Sequence, residues 1–146
     1  MGTFLPRRQL LLSGSDHKME HAVTKIFVLA LGGAAGTLSR YWLSGAAQRL
    51  FGASFPAGTF AVNMAGSLLF GLLWGLFENR IGFSPELRLL LLTGFMGAFT
   101  TFSTYMFESA ALLRSGQHLL LVANVAGQSL LGLTLVLAGM ALGRLI

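Results

Sequence analysis

Asn63 is an amide in the middle of an apolar run, GTFAVNMAG, with Thr59 one helical turn before it on the same face. Burying an amide in hydrocarbon is costly unless it is hydrogen-bonded. It can serve as glue between helices or as an N–H donor to a permeating anion, and the residue types leave both open. A second polar cluster lies in GFMGAFTTFSTY, where Thr100, Thr101, Ser103 and Thr104 follow Gly94 and Gly97. Hydroxyls at mid-membrane need partners or a water-filled path, and a Gly-flanked run of β-branched Thr predicts a helix break. Phe102 and Tyr105 lie three apart, on nearly one helical face. Such rings pack, or turn a positive edge toward an anion without attracting cations; Phe95 and Phe99 extend that face and are read as packing. Arg40 closes GGAAGTLSR, where it either snorkels or gives positive potential to an anion vestibule. Glu108, deeper in its segment, is either a functional acid or the partner of a basic group.

Other chemistries find little support. His17, His21 and His118 are isolated, and no helical His pair, paired carboxylates, phosphate-binding loop or GxSxG occurs. The chain reads as no enzyme. It contains no cysteine, which excludes disulfides and thiolate metal sites. The net charge of +5 comes from Lys and Arg scattered singly between apolar runs, with no basic patch for nucleic acid.

The elements that must position these residues follow from hydropathy. Only 10% of the 146 residues are charged and 54% are hydrophobic, too little charge to solvate a globular surface. Apolar stretches run over about 22–42, 56–77, 87–113 and 119–142, each long enough to span a bilayer as a helix. Their separators, SGAAQRLFGASFP, ENRIGFSPE and RSGQH, carry turn and charge signals. Strict alternation, as in a β-barrel, is absent. A helix over 87–113 would rise about 40 Å against a core of about 30 Å, a second reason to expect a break. Gly32 with Gly36, and Gly71 with Gly75, form GxxxG pairs suited to close helix packing. The expected fold is all-α integral membrane, with four transmembrane helices and the third broken near its middle.

Residues 1–20 differ from the rest. PRRQLLLSG has the paired arginines of a secretory signal but too short an apolar core. The segment is expected to be an exposed tail, dispensable if Met19 is the natural start, followed by a channel domain over 21–146. Four spans put Lys25, Arg80, Arg88 and Arg144 with the N-terminus on one side, and Arg40, Arg49 and Arg114 on the other. With Arg7, Arg8 and Lys18 that is seven against three, and five against three if Arg7 and Arg8 belong to a dispensable tail, a weak bias that suits insertion in both orientations.

The chain resembles the Fluc fluoride channels, also called CrcB proteins, from about Lys25 to Ile146. GGAAGTLSRYW is similar to their first-helix motif, GTFAVNMAGSLLFG to the second-helix motif around Asn, and GFMGAFTTFSTY to the third-helix signature Gly-Gly-x-Thr-Thr-Phe-Ser-Thr-Phe. The resemblance implies an antiparallel, dual-topology homodimer with two anion pathways in a bacterial inner membrane. It implies pathway roles for Asn63, Phe102, Tyr105, Thr59, Thr104 and Ser129, and charged positions at Arg40 and Glu108. It also implies a structural, central Na⁺ held between subunits by the backbone carbonyls of Gly97 and Thr100. Tyr105 stands where the family has Phe, and Ala98 where Gly is common. Val125 and Leu133 fall where polar-track Tyr and Ser are frequent, with Asn124 or Gln128 partly compensating.

The expected function is passive, fluoride-selective conduction out of the cytoplasm, with the bilayer and an antiparallel copy as partners. The alternative is a small dual-topology multidrug or cation exporter. That reading needs an acid deep in the first helix, and 22–42 has none. A non-transporting packing subunit would explain the glycines but not an Asn beside a Thr-rich break.

Overall fold

The computed structural model describes residues 7–52, 54–78 and 82–146, with side chains from residue 19 onward. Four helical spans, long and apolar enough to cross a membrane, run over Met19–Phe51, Ala57–Glu78, Pro85–Arg114 and His118–Leu145. α1 extends over Arg7–Phe51 and α2 over Ala57–Glu78. The third span is composite: α3 (Pro85–Arg88), π-helical turns over Leu89–Phe95, α4 (Met96–Phe99), then α5 (Phe102–Arg114). α6 covers His118–Leu145.

α1 is longer than its apolar core at both ends. It is already helical at Arg7, inside the segment read as a tail, and continues through Phe51, into the first predicted separator. The exposure predicted for residues 1–18 lies outside the described side chains; Met19 and Glu20 are exposed. Gly52, with φ 80°, ends the helix, a left-handed conformation that glycine adopts without steric cost. Gln48 then ties the turn to α2. Its Nε2 donates to the carbonyls of Gly52 and Phe55, and its Oε1 accepts from the Gly58 N–H. One amide thereby partners an orphan donor at the α2 N-terminus and fixes the connection.

α3 starts where local chemistry requires. Ser84 Oγ accepts from the Leu87 N–H at 3.1 Å, Pro85 occupies the first turn, and Glu86 sits at the positive end of the helix dipole. The α5–α6 turn closes on Gly116, with φ 72°, and the Gln117 N–H reaches back to the Leu112 carbonyl.

α2 and α6 form the tightest pair. A Cβ at Gly71 or Gly75 would collide with the carbonyls of Val136 or Met140, and one at Gly139 or Gly143 with those of Leu68 or Leu72. Backbones can approach this closely only because both faces lack side chains. Gly32 and Gly36 on α1 do the same against Leu90 and Phe95. The small core of Val62, Met96 and Phe99 sits where α2 meets α4. Phe95 packs against this core, its ring stacked on that of Phe99 at 5.6 Å. The outer faces carry exposed Ile26, Phe27, Leu31, Leu130 and Leu133, a surface suited to lipid.

Candidate functional site

The third span breaks at Thr100–Thr101, three residues beyond Gly97. Thr100 has ψ 160° and Thr101 has φ −148° and ψ 108°, both extended. The break diverts two backbone donors. The Thr101 N–H, which would reach the Gly97 carbonyl in a continuous helix, goes instead to Asn63 Oδ1 at 2.9 Å. The Thr104 N–H, which would reach the Thr100 carbonyl, goes to Thr101 Oγ1 at 3.4 Å. The carbonyls of Gly97 and Thr100 thus lose their helical partners. Gly97 is exposed, with open space where a Cβ would be.

Asn63 replaces what the helix gives up. Besides accepting from the Thr101 N–H, its Nδ2 donates to the Thr101 carbonyl at 3.2 Å. The side-chain amide pairs with one residue's backbone as a neighbouring strand would. Its Nδ2 also donates to Gln128 Oε1 at 2.7 Å. Of the two uses that the sequence left open, the bonds are those of glue: Asn63 joins α2 to the break and to α6, and it also lines a recess.

That recess, of about 400 Å³, brings together Asn63, Thr100, Phe102, Tyr105, Gln128 and Ser129. Phe102 and Tyr105 share a face as their spacing predicts, with rings 5.9 Å apart at 64°. Phe102 is 74% exposed, whereas Tyr105 is buried. The extra hydroxyl of Tyr105 donates to the Val125 carbonyl at 3.3 Å, tying α5 to α6. Ser129 lines the recess from an exposed position.

Arg40, Thr59 and Thr104 lie apart from that recess, in a neighbouring groove between α1, α2 and α5. Glu108 lines a third recess with Gln48 and Gln117. Its partner is a hydroxyl rather than a basic group: Thr59 Oγ1 donates to Glu108 Oε1 at 2.8 Å, while Glu108 Oε2 is buried without a partner. Among the described residues no cluster of His, Asp and Glu could hold a metal ion through side chains.

Two buried amides and a hydroxyl complete the polar interior. Gln128 Nε2 donates to Asn124 Oδ1 at 2.8 Å, and Asn124 Nδ2 to Ser109 Oγ at 3.0 Å. Ser109 Oγ donates to the Tyr105 carbonyl at 2.7 Å. Their sequence signal was the i, i+4 spacing of Asn124 and Gln128 on an otherwise apolar helix. Ser109 and Gln48 gave none, because single polar residues near helix ends are commonplace.

The family model described as "CrcB-like protein, Camphor Resistance (CrcB)" matches residues 27–140. A protein of Maridesulfovibrio salexigens named fluoride-specific ion channel FluC is 62% identical over 122 residues, 84% of this chain and 97% of that protein. Relatives of the same name from Nitratidesulfovibrio vulgaris (strain Miyazaki F) and Aquifex aeolicus are 55% and 42% identical, over 84% and 82% of this chain and 98% and 96% of their own lengths. The matched region holds α2, the break, α5 and nearly all of α6, and on it the chain belongs to the CrcB (FluC) family of multi-pass membrane proteins.

Proposed function

We propose that the chain is a passive, fluoride-selective channel through which fluoride leaves the cytoplasm, with two pores in an antiparallel homodimer in the bacterial inner membrane. The observation that carries this is the broken third span beside Asn63 and the Phe102–Tyr105 pair, in a chain whose relatives are named fluoride-specific channels. Fluoride is small and strongly hydrated, so entry requires donors that replace its water. The Asn63 amide, hydroxyls and ring edges form several weak sites in series rather than one deep trap. Asn63, Phe102, Tyr105 and Ser129 line the first recess; Thr59 and Thr104, with Arg40, line the neighbouring groove and Glu108 the third recess, and the pathway is read as joining them. The membrane potential drives the anion out, and no chemical step on the protein is involved.

The second copy is inferred from what one chain leaves uncovered. Phe102, Ser103 and Thr104 are exposed at the middle of a span, where hydroxyls facing lipid are costly. A partner across this face would cover them and complete each pore. It would also bring two sets of Gly97 and Thr100 carbonyls together. Na⁺, a hard cation that prefers oxygen, suits such a set as a structural ion. The exporter reading needs a membrane-embedded acid in α1, and none follows Glu20 in that helix.

Liposomes loaded with fluoride or chloride test the function directly. Fluoride efflux followed with a fluoride electrode should be fast and independent of an imposed pH gradient, with chloride retained. Efflux that requires a proton gradient would favour the exporter, and no fluoride efflux would sink the channel reading.

A further inference from the structure

The polar interior forms a hydrogen-bond chain with one direction. It starts at the Thr101 N–H and passes through Asn63, Gln128, Asn124 and Ser109 to the Tyr105 carbonyl. A side-chain amide can turn over and exchange its oxygen and nitrogen. Here neither end permits it: the first group is a backbone donor and the last a backbone acceptor. Reversing any amide between them would set donor against donor. Asn124 is fully buried and Gln128 nearly so, so water cannot relieve such a mismatch.

The consequence falls on Asn63. One of its two N–H groups is bound to the Thr101 carbonyl and the other, at the shorter distance, to Gln128 Oε1. Gln128 Oε1 therefore stands where an anion in the recess would accept from Asn63. We propose that Gln128, held in this orientation by Asn124, is a built-in competitor that an anion must displace from Asn63. It thereby sets anion selectivity, which rests on the reading of Asn63 as a pathway residue. Fluoride, compact and a strong acceptor, displaces an amide oxygen. Chloride, larger and a weaker acceptor, does not. Asn124 lines none of the three recesses described above and reaches Asn63 through Gln128, as a positioning residue.

The test is a double-mutant cycle of Gln128→Met and Asn124→Leu, read as the ratio of chloride to fluoride efflux from liposomes loaded with each salt. Each single variant is expected to raise the ratio about tenfold, the rate equivalent of one lost hydrogen bond. The double variant should rise no further, because both cut the same chain. Wild-type ratios in well-folded single variants, or single effects that multiply in the double, would overturn the proposal. Should Asn124→Leu fail to assemble, Ser109→Ala takes its place: a ratio shifted the same way supports the relay, and an unchanged ratio overturns it. Absent fluoride efflux from the wild type would instead sink the channel reading itself.

Discussion

Within one chain Phe102 gains little from packing, since it is 74% exposed and, among the described residues, meets one aromatic ring, that of Tyr105. Phe102→Ile keeps apolar bulk and removes the ring edge. It should leave the packing of the single subunit unchanged and, because it keeps apolar bulk on the face a partner would cover, still allow the dimer to form, while fluoride efflux falls about tenfold, the scale of 1.4 kcal/mol in a barrier. Efflux at the wild-type rate would make the ring a packing residue. Asn63→Ser differs in kind, because it strips the Thr101 N–H and Gln128 Oε1 of their partner. It should lower both stability, by about 1–3 kcal/mol, and efflux, by tenfold or more. Unfolding in detergent and electrode recordings on one preparation check the pair. Asn63 stands out in the sequence as an amide among apolar neighbours, and Phe102 and Tyr105 as rings three apart in a run of hydroxyls. The sequence did not reveal that Thr59 serves Glu108, nor that the Tyr105 hydroxyl is taken by Val125. Those partners lie dozens of residues away, or on another helix, and hydropathy does not carry that distance.

At the scale of elements, the α2–α6 contact depends on absent side chains. Gly71→Ala and Gly139→Ala each place a methyl against a backbone carbonyl of the other helix. Each should cost about 1–3 kcal/mol of overpacking, read as a lower unfolding midpoint in detergent. Gly45→Ala, whose methyl would meet only the tip of Arg49 at 3.4 Å, should not destabilise. Equal effects at all three positions would refute backbone contact as the cause. GxxxG spacing exposed the α1 and α2 halves of these contacts; Gly139 and Gly143 on α6 have the same spacing, but nothing in it says which helix they meet. The break was legible from Gly and Thr, yet its position at Thr100–Thr101 depends on where Asn63 reaches the chain. The π-helical turns of Leu89–Phe95 had no signal, because LLLLTGF suits an ordinary helix equally well. The extension of α1 to Phe51 shows the converse: a Gly and a charge within a helix do not end it while its backbone bonds persist.

For the whole molecule, four apolar stretches gave the span count, since a bilayer fixes helix length. Two claims concern the assembled protein. Reporter fusions at Ile146 should be active on both sides of the membrane, as the five-against-three charge bias implies; one fixed side, unmoved by shifting a charge or two, would contradict dual insertion. A structure of the dimer in Na⁺ should show density on its axis within reach of the Gly97 and Thr100 carbonyls of both subunits, and those carbonyls closing on i+4 N–H groups would rule the ion out. Passive selective conduction fixes the reversal potential of the protein in a planar bilayer. With a tenfold fluoride gradient and equal pH on both sides, the account predicts reversal near the fluoride equilibrium potential, about 59 mV for one charge. That potential should not move when a chloride or proton gradient is added. A reversal that follows the proton or chloride gradient, or no current at all in fluoride, would contradict it.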